Sequence, residues 1–430
     1  MTTVLVFLVV ISFLVLVHEF GHLMAAKLTG VWVHKFSVGF GPSIFTYKTD
    51  ETDYSLSPLL FGGYVRMAGE DVGGEEKRDE QVPENRKFYS KHPAVKGVIA
   101  FSGPAMNVFV AVLMMIVLAG LIGVPYIGIY GVMEDYPAQG LLQVGDKILS
   151  VDGSPLNSLT DLQRIVEKKH QNPIPITVLR DGKETTVNVE PRLSPEEDRY
   201  LLGVELGPFA TNEISEVLEG APYSDLGLRG GDKIVQVGEV ETQNWPEVVE
   251  AFAGQGESER ITITVNREGE KIRFELPPGA TAEEFSRSAI PDVQQRGIGP
   301  LTSINQGLNN VKTILMVTYR GIRMVIAGDI PASEAVSGPV GIATYIGRGL
   351  DRGFRSLFFI VALVSLNLGI VNMIPFPALD GSRIGFAIYE WIRGRPIPPE
   401  KEGMIHSIGF MILIGLLIFL TYQDIVKLLQ

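Results

Sequence analysis

The sequence contains no cysteine among its 430 residues. This absence excludes a disulfide-stapled scaffold, a thiolate metal site and a cysteine nucleophile. Charged residues make up only 20% of the chain, whereas hydrophobic residues make up 46%. The net charge of -12 argues against a nucleic-acid partner. A mean hydropathy of +0.20 is high for a soluble protein of this length and indicates membrane-embedded parts.

Acidic residues are concentrated in the middle of the chain. Residues 131–300 contain 16 Lys or Arg and 30 Asp or Glu, whereas the rest of the chain contains 21 and 19. This distribution predicts a soluble acidic insert between two membrane-embedded parts.

Four apolar segments have about the length of membrane-spanning helices, roughly 17–25 residues. They cover residues 4–28, 98–124, 357–376 and 408–422. Lys and Arg are found in the loop between the first and second segments and in the loop between the third and fourth. The positive-inside rule therefore predicts that both loops face the cytoplasm, while the acidic insert and both termini lie outside.

A further periodic segment covers residues 301–325. Apolar residues recur there at helical spacing, and Asn, Lys and Arg occupy the other face. This pattern predicts an amphipathic helix on the membrane surface. A soluble helix packed on the insert is the alternative.

The insert contains an internal repeat. The tetrapeptide Gly-Asp-Lys-Ile occurs at 145–148 and again at 231–234, and each copy precedes a helix-like segment and two strand candidates. Self-similarity at this scale predicts tandem α+β domains. Both copies resemble PDZ domains, which bind peptide C-termini by strand addition. Leu202 and Gly203 resemble the carboxylate-binding loop of the second copy, and a spacer without a ligand is the alternative.

The first apolar segment is interrupted by a cluster of ionisable residues. His18, Glu19 and His22 form a His-Glu-x-x-His pattern. Histidines four residues apart share one face of a helix, so both imidazoles can bind one metal ion. Glu19 lies beside them and can accept a proton from water. Polar groups inside an apolar run need a partner or a function, so the pattern predicts a zinc site.

A catalytic zinc ion needs a third protein ligand, and none follows nearby in the sequence. Asp380 is the best candidate, because it follows the third apolar segment in Asn372-Met-Ile-Pro-Phe-Pro-Ala-Leu-Asp-Gly381. Glu51 and Glu70 are weaker candidates.

Together the two motifs resemble those of the site-2 protease family, the intramembrane zinc metalloproteases. The resemblance implies one zinc ion held by His18, His22 and Asp380, with Glu19 as general base and acid. It implies that Asn372 lies near the scissile carbonyl and that Asn367 helps to hold the substrate. It further implies a location in the bacterial cytoplasmic membrane and an active site toward the cytoplasm. Expected substrates are single-span membrane proteins such as anti-sigma factors, cleaved after a first extracytoplasmic cut.

Residues 54–67 are predicted to form a membrane-associated β-hairpin that pairs with the unwound substrate. Gly62 and Gly63 are expected near its turn, and Tyr64 follows them. A plain cytoplasmic loop is the alternative.

The predicted fold is a polytopic α-helical membrane protein with four transmembrane helices, two tandem extracytoplasmic PDZ domains and this hairpin. The predicted domains are a membrane core at 1–128, PDZ domains at 129–200 and 201–280, a linker with the amphipathic helix at 281–350, and a second part of the membrane core at 351–430.

Two other functions compete with proteolysis. A membrane scaffold with structural zinc and peptide-binding PDZ domains would not need Glu19. A zinc transporter would need polar residues across the bilayer, which the second and fourth spans almost lack.

Overall fold

The computed structural model of the protein describes residues 2–70, 81–169, 172–194, 198–218, 220–254, 260–331 and 337–429. The chain forms two compact units. We call Met1–Leu121 with Gly299–Gln430 the membrane unit, and Ile122–Ile298 the insert. The helices are α1 (Thr2–Leu28), α2 (Pro93–Ile122), α3 (Leu159–Lys169), α4 (Trp245–Ala253), α5 (Ala282–Ser288), α6 (Pro300–Ala327), α7 (Pro339–Asp351), α8 (Phe354–Asn372), α9 (Asp380–Arg393) and α10 (Pro399–Leu429).

Among the described residues, four helices are long and apolar enough to cross a membrane: α1, α2, α8 and most of α10. The predicted number of spans is confirmed by length and composition. Helix α8 ends at Asn372 rather than at residue 376, because Pro375 and Pro377 cannot continue a helix. The predicted amphipathic segment is helix α6, and its Gly307 lies directly against Ile116 of α2. Its place on the membrane surface stays a prediction.

The predicted hairpin is wrong. The membrane unit contains a four-stranded sheet of β1 (Val33–Phe40), β2 (Phe45–Lys48), β3 (Asp53–Leu56) and β4 (Leu59–Met67), in the order β2-β3-β1-β4. Strand β1 pairs in parallel with β3 and antiparallel with β4, so β3 and β4 lie on opposite sides of it. Gly62 and Gly63 lie within β4 and not at a turn.

Gly39 explains how the chain crosses from β3 to β4. A Cβ at residue 39 would lie 2.7 Å from the carbonyl oxygen of Ser57 and 2.9 Å from that of Leu59. Only glycine therefore allows the short connection to pass over the end of β1. As a result β4 becomes an edge strand of the sheet.

The insert contains two larger sheets. Its strands are β5 (Val124–Pro125), β6 (Ile127–Val132), β7 (Lys147–Val151), β8 (Ile174–Arg180), β9 (Lys183–Val189), β10 (Arg192–Ser194), β11 (Arg199–Leu201), β12 (Val204–Pro208), β13 (Ala210–Val217), β14 (Lys233–Val237), β15 (Val240–Glu241), β16 (Thr262–Arg267), β17 (Glu270–Glu275), β18 (Ala289–Val293) and β19 (Gln295–Arg296). The first large sheet has the order β12-β6-β7-β8-β9, and the second has the order β17-β16-β14-β13-β18, with β15 paired to β14. Each has one longer helix, α3 or α4, at the same place in the chain order.

The repeated tetrapeptide has the same structural role in both halves of the insert. Asp146 and Asp232 are buried, and each accepts two hydrogen bonds from one arginine, Arg180 or Arg267. These bidentate ion pairs connect strand β8 to the turn before β7, and strand β16 to the turn before β14. The repeat inferred from the sequence is therefore a repeat of structure.

The predicted domain boundaries at residues 201 and 281 are wrong. Strand β12 pairs with β6 and completes the first sheet, and β18 pairs with β13 and completes the second. Leu202 lies in the hydrophobic core of the first sheet, and Met133 donates a backbone hydrogen bond to Gly203. Leu202 and Gly203 therefore belong to the first repeat, because each repeat closes its sheet with its own last strand.

Candidate active site

Helix α1 carries the two histidines of the motif on one face. His18 and His22 are both buried, and their Nε2 atoms lie 3.2 Å apart. Glu19 is half-buried beside them.

Asp380 is the first residue of helix α9, after the proline-containing loop that follows α8. A Cβ at Gly381 would overlap the carbonyl oxygen of Ile374, so this glycine lets α9 begin directly against the end of α8. Ala378 has a φ of 77° in this loop, and its N–H donates to His406 Nδ1 of α10 at 3.1 Å. The Leu-Asp-Gly motif thus serves to bring the Asp380 carboxylate back toward the spans.

The Asp380 carboxylate reaches both histidines. Its Oδ2 lies 2.9 Å from His18 Nε2 and 3.4 Å from His22 Nε2. One oxygen of the Asp380 carboxylate thus lies within reach of a metal ion held by both imidazoles.

The spacing of the three atoms fits zinc. In a tetrahedral zinc site with bonds of about 2.0–2.1 Å, the ligand atoms lie about 3.3 Å from one another. The distances in the cluster run from 2.9 to 3.4 Å. Among the described residues, His18, His22 and Asp380 are the one group of three or more such side chains close enough together to hold a metal ion.

Contacts from helix α2 orient both imidazoles. His22 Nδ1 lies 2.8 Å from the carbonyl oxygen of Ile99, so this nitrogen carries the proton and Nε2 is free to bind a metal. His18 Nδ1 lies 3.3 Å from Asn107 Nδ2. Asn107 Oδ1 is buried, with no hydrogen-bond partner in the described part of the chain. If the Asn107 amide is rotated by 180°, its oxygen accepts a hydrogen bond from a protonated His18 Nδ1. His18 Nε2 is then free to bind a metal, as in His22.

Helix α2 also approaches the cluster through Gly103. A Cβ at this position would overlap His22 Nε2 and would lie 2.8 Å from His18 Nε2. Nothing in the sequence revealed that Gly103 and Asn107 contact the imidazoles.

Glu19 is connected to the edge strand of the sheet. The backbone N–H of Val65 in β4 donates to Glu19 Oε2 at 3.1 Å. Val65 therefore directs its N–H away from β1, and the outer edge of β4 lies beside the candidate general base.

The other predicted residues lie on helix α8 and in or next to the four-stranded sheet. Asn367 and Asn372 are both half-buried in α8, but five residues place them about 140° apart around a helix axis, so they do not share a face. Glu51 pairs with Lys27 and Arg86, and Glu70 pairs with Arg383. Tyr64 stacks on Phe40 with ring centroids 6.2 Å apart.

Comparison with known proteins agrees with this site. The model of peptidase family M50 matches residues 6–416. The chain belongs to peptidase family M50. Membership of this family, the site-2 proteases, confirms the predicted resemblance and the prediction of a zinc-dependent peptidase.

Relatives match along nearly the whole chain. Zinc metalloprotease RasP of Shouchella clausii is 30% identical over 455 residues, covering 100% of both chains. RasP of Geobacillus kaustophilus is 29% identical, covering 99% of this chain and 98% of the relative. The regulator of sigma E protease of Haemophilus influenzae is 27% identical, covering 98% of both.

Solved structures match a smaller part. The PDZ domain of an SdrC-like protein from Listeria monocytogenes is 19% identical and covers 20% of this chain and 90% of its own, with a TM-score of 0.19. The corresponding domain from Listeria innocua is 21% identical and covers 19% and 92%, with a TM-score of 0.18.

Proposed function

We propose that this member of family M50 cleaves single-span membrane proteins, such as anti-sigma factors, within the bacterial cytoplasmic membrane after a first cut outside. One observation carries the proposal: His18, His22 and Asp380 converge beside Glu19, and three of these four residues lie inside a helix able to span a bilayer. Peptide hydrolysis in such a place has to act on membrane-embedded substrates.

Each residue has a defined task in this proposal. His18, His22 and Asp380 hold the zinc ion, which when bound supplies a Lewis acid that acidifies water and polarises a carbonyl. Glu19 accepts a proton from the attacking water and delivers it to the leaving amine. The N–H of Val65 orients the Glu19 carboxylate through its hydrogen bond. Asn372 is proposed to lie near the scissile carbonyl, and Asn367 to help hold the substrate. Their roles differ because the two residues face different sides of α8.

The edge strand β4 is the proposed receiver of the substrate. A transmembrane substrate is helical and hides its amides, so it must unwind before cleavage. Because β4 is an edge strand, its outer backbone groups can pair with the extended peptide. By the alternation of a strand, Gly63 presents its N–H on the same outer edge as Val65, whose own N–H is bonded to Glu19. The substrate would then lie directly beside Glu19.

Disulfide cross-linking tests this strand pairing. The chain has no cysteine of its own, so introduced cysteines give no background cross-links within the enzyme. In a Glu19→Gln background, Tyr64→Cys is introduced together with single cysteines along a single-span substrate. We expect cross-links with alternate substrate positions around the scissile bond, because side chains alternate between the faces of a strand. Cross-linked products are measured on non-reducing gels.

Tyr47→Cys is the matched control. Tyr47 lies in β2, the other edge of the same sheet, and is 63% exposed. Equal cross-linking at residues 47 and 64, or no periodicity at residue 64, would show that β4 does not receive the substrate.

The proposed orientation places the two loops rich in Lys and Arg in the cytoplasm, and the insert and both termini outside. The two repeats of the insert are proposed to be tandem PDZ domains, supported by their matching strand order and the similarity of the sequence motifs. The loop at Leu202 and Gly203, which belongs to the first repeat, is the proposed binding site for a peptide C-terminus. The insert then limits cleavage to substrates whose outer domain has been removed.

Removal of the insert is expected to relax this selectivity. Strands β5 and β19 pair through Pro125 with Gln295 and through Val124 with Arg296, so the chain enters and leaves the insert at adjacent points. A short Gly-Ser linker can therefore replace residues 126–294. We expect this variant to cleave a substrate with its outer domain intact several times faster than wild type does, measured by immunoblotting of co-expressed substrate. A substrate trimmed beforehand is the control, and unchanged discrimination between the two would contradict a filter.

A non-proteolytic scaffold is not favoured, because the chain belongs to a peptidase family and Glu19 lies beside the metal ligands without being one of the three.

A further inference from the structure

Glu70 has contacts that its sequence position did not suggest. It follows edge strand β4 by three residues, and its Oε2 accepts a hydrogen bond from the N–H of Met67, the last residue of β4, at 3.3 Å. Its Oε1 pairs with Arg383. Only 12% of the Glu70 side chain is exposed, so both oxygens are held in a largely enclosed position.

Arg383 lies on the helix that carries the third candidate ligand. It is three residues after Asp380 in α9, and residues three apart lie on one face of a helix. The single carboxylate of Glu70 therefore joins the end of strand β4 to the helix turn that presents Asp380. These are two separate parts of the site: β4 contacts Glu19, and α9 supplies Asp380.

This connection matters for a substrate bound by strand addition. Main-chain hydrogen bonds are alike at every residue of a strand, and the pattern repeats every two residues. Backbone pairing alone would therefore allow the peptide to shift along β4 by two residues. The peptide bond that is cut then depends on the position of strand β4 relative to the metal ligands.

We propose that Glu70 and Arg383 are positioning residues for cleavage. Their ion pair fixes edge strand β4 relative to Asp380, and so determines which peptide bond of the paired substrate meets the catalytic groups. The inference rests on the proposed pairing of substrate with β4.

Kinetics and cut position together test the proposal, using purified full-length protein in lipid nanodiscs and a single-span substrate. Glu70→Gln keeps an acceptor for the Met67 N–H but loses the charge that pairs with Arg383. We expect kcat to fall roughly tenfold to a hundredfold, since a displacement of about 1 Å can have such an effect. We also expect little change in KM, wild-type zinc content and a second cut two residues from the first, detected by mass spectrometry of the fragments.

Arg383→Gln should reproduce these changes, and it also reports on the proposal if Glu70→Gln fails to fold. The double variant should be no slower than either single variant, because both remove the same interaction. Lys96→Gln is the matched control: Lys96 of α2 forms an ion pair with Glu390 of the same helix α9 at 2.8 Å, with no part of β4 involved. We expect this control to leave the cut position unchanged.

The proposal is overturned if both single variants cut at the wild-type position with wild-type kcat, or if they lose zinc. It is also overturned if Lys96→Gln shifts the cut in the same way, since the effect would then be a general loosening of α9. Failure of Tyr64→Cys to cross-link would instead contradict strand addition itself. Successful cross-linking with an unaffected Glu70→Gln enzyme would remove only the role of the ion pair.

Discussion

Replacement of Glu19 by glutamine is expected to leave zinc bound and to slow peptide cleavage by at least about a hundredfold, the lower end of what general acid–base catalysis contributes. The glutamine keeps the size of the side chain and an oxygen that accepts the Val65 N–H, but it cannot take up a proton from water. The metal ligands His18, His22 and Asp380 are unchanged by the substitution.

Elemental analysis measures whether zinc stays bound. Cleavage of a co-expressed single-span substrate measures the loss of activity. Glu51→Gln is the control, because Glu51 pairs with Lys27 and Arg86 and lies outside the metal-binding cluster. We expect it to cleave at close to the wild-type rate. Loss of zinc from the Glu19→Gln protein would make Glu19 a ligand, and undiminished cleavage would make another group the base.

Local patterns in the sequence were sufficient to predict much of this architecture. The apolar runs predicted the four spans, because the bilayer imposes a length that few soluble helices show. The internal repeat predicted a helix after each Gly-Asp-Lys-Ile copy, and the structure confirms these helices as α3 and α4. The prediction that His18 and His22 bind one metal ion required only the geometry of one helix, because both residues lie in α1.

Predictions failed where contacts join segments that are distant in sequence. Residues 54–67 contain two strands, as the predicted hairpin required, but nothing in this run shows that β1 lies between β3 and β4. Leu202 was assigned to the wrong repeat for the same reason, since the pairing of β12 with β6 joins residues more than 70 positions apart. Glycine is the least informative residue in this respect: Gly39, Gly103 and Gly381 are each required by a neighbour that the sequence does not identify.

Gly103→Ala is the second substitution with a large expected effect. The new methyl group would overlap His22 Nε2 and would lie 2.8 Å from His18 Nε2, the two atoms that face the proposed zinc ion. Because the methyl group projects from a helix backbone, the imidazoles have to turn away. We expect zinc affinity to fall by at least the roughly 10- to 100-fold typical of disturbed supporting contacts, and cleavage to fall with it.

Titration with zinc buffers measures this loss, and excess zinc should restore part of the activity. Gly97→Ala on the same helix is the matched control, since its Cβ would meet Ala387 at an ordinary 3.7 Å and alanine is the better helix former. It should keep wild-type zinc affinity. Full zinc affinity in Gly103→Ala would mean that α2 does not lie against the imidazoles. Together with Glu19→Gln, the pair separates two failures: Gly103→Ala loses the ion and therefore the chemistry, whereas Glu19→Gln keeps the ion and loses only proton transfer.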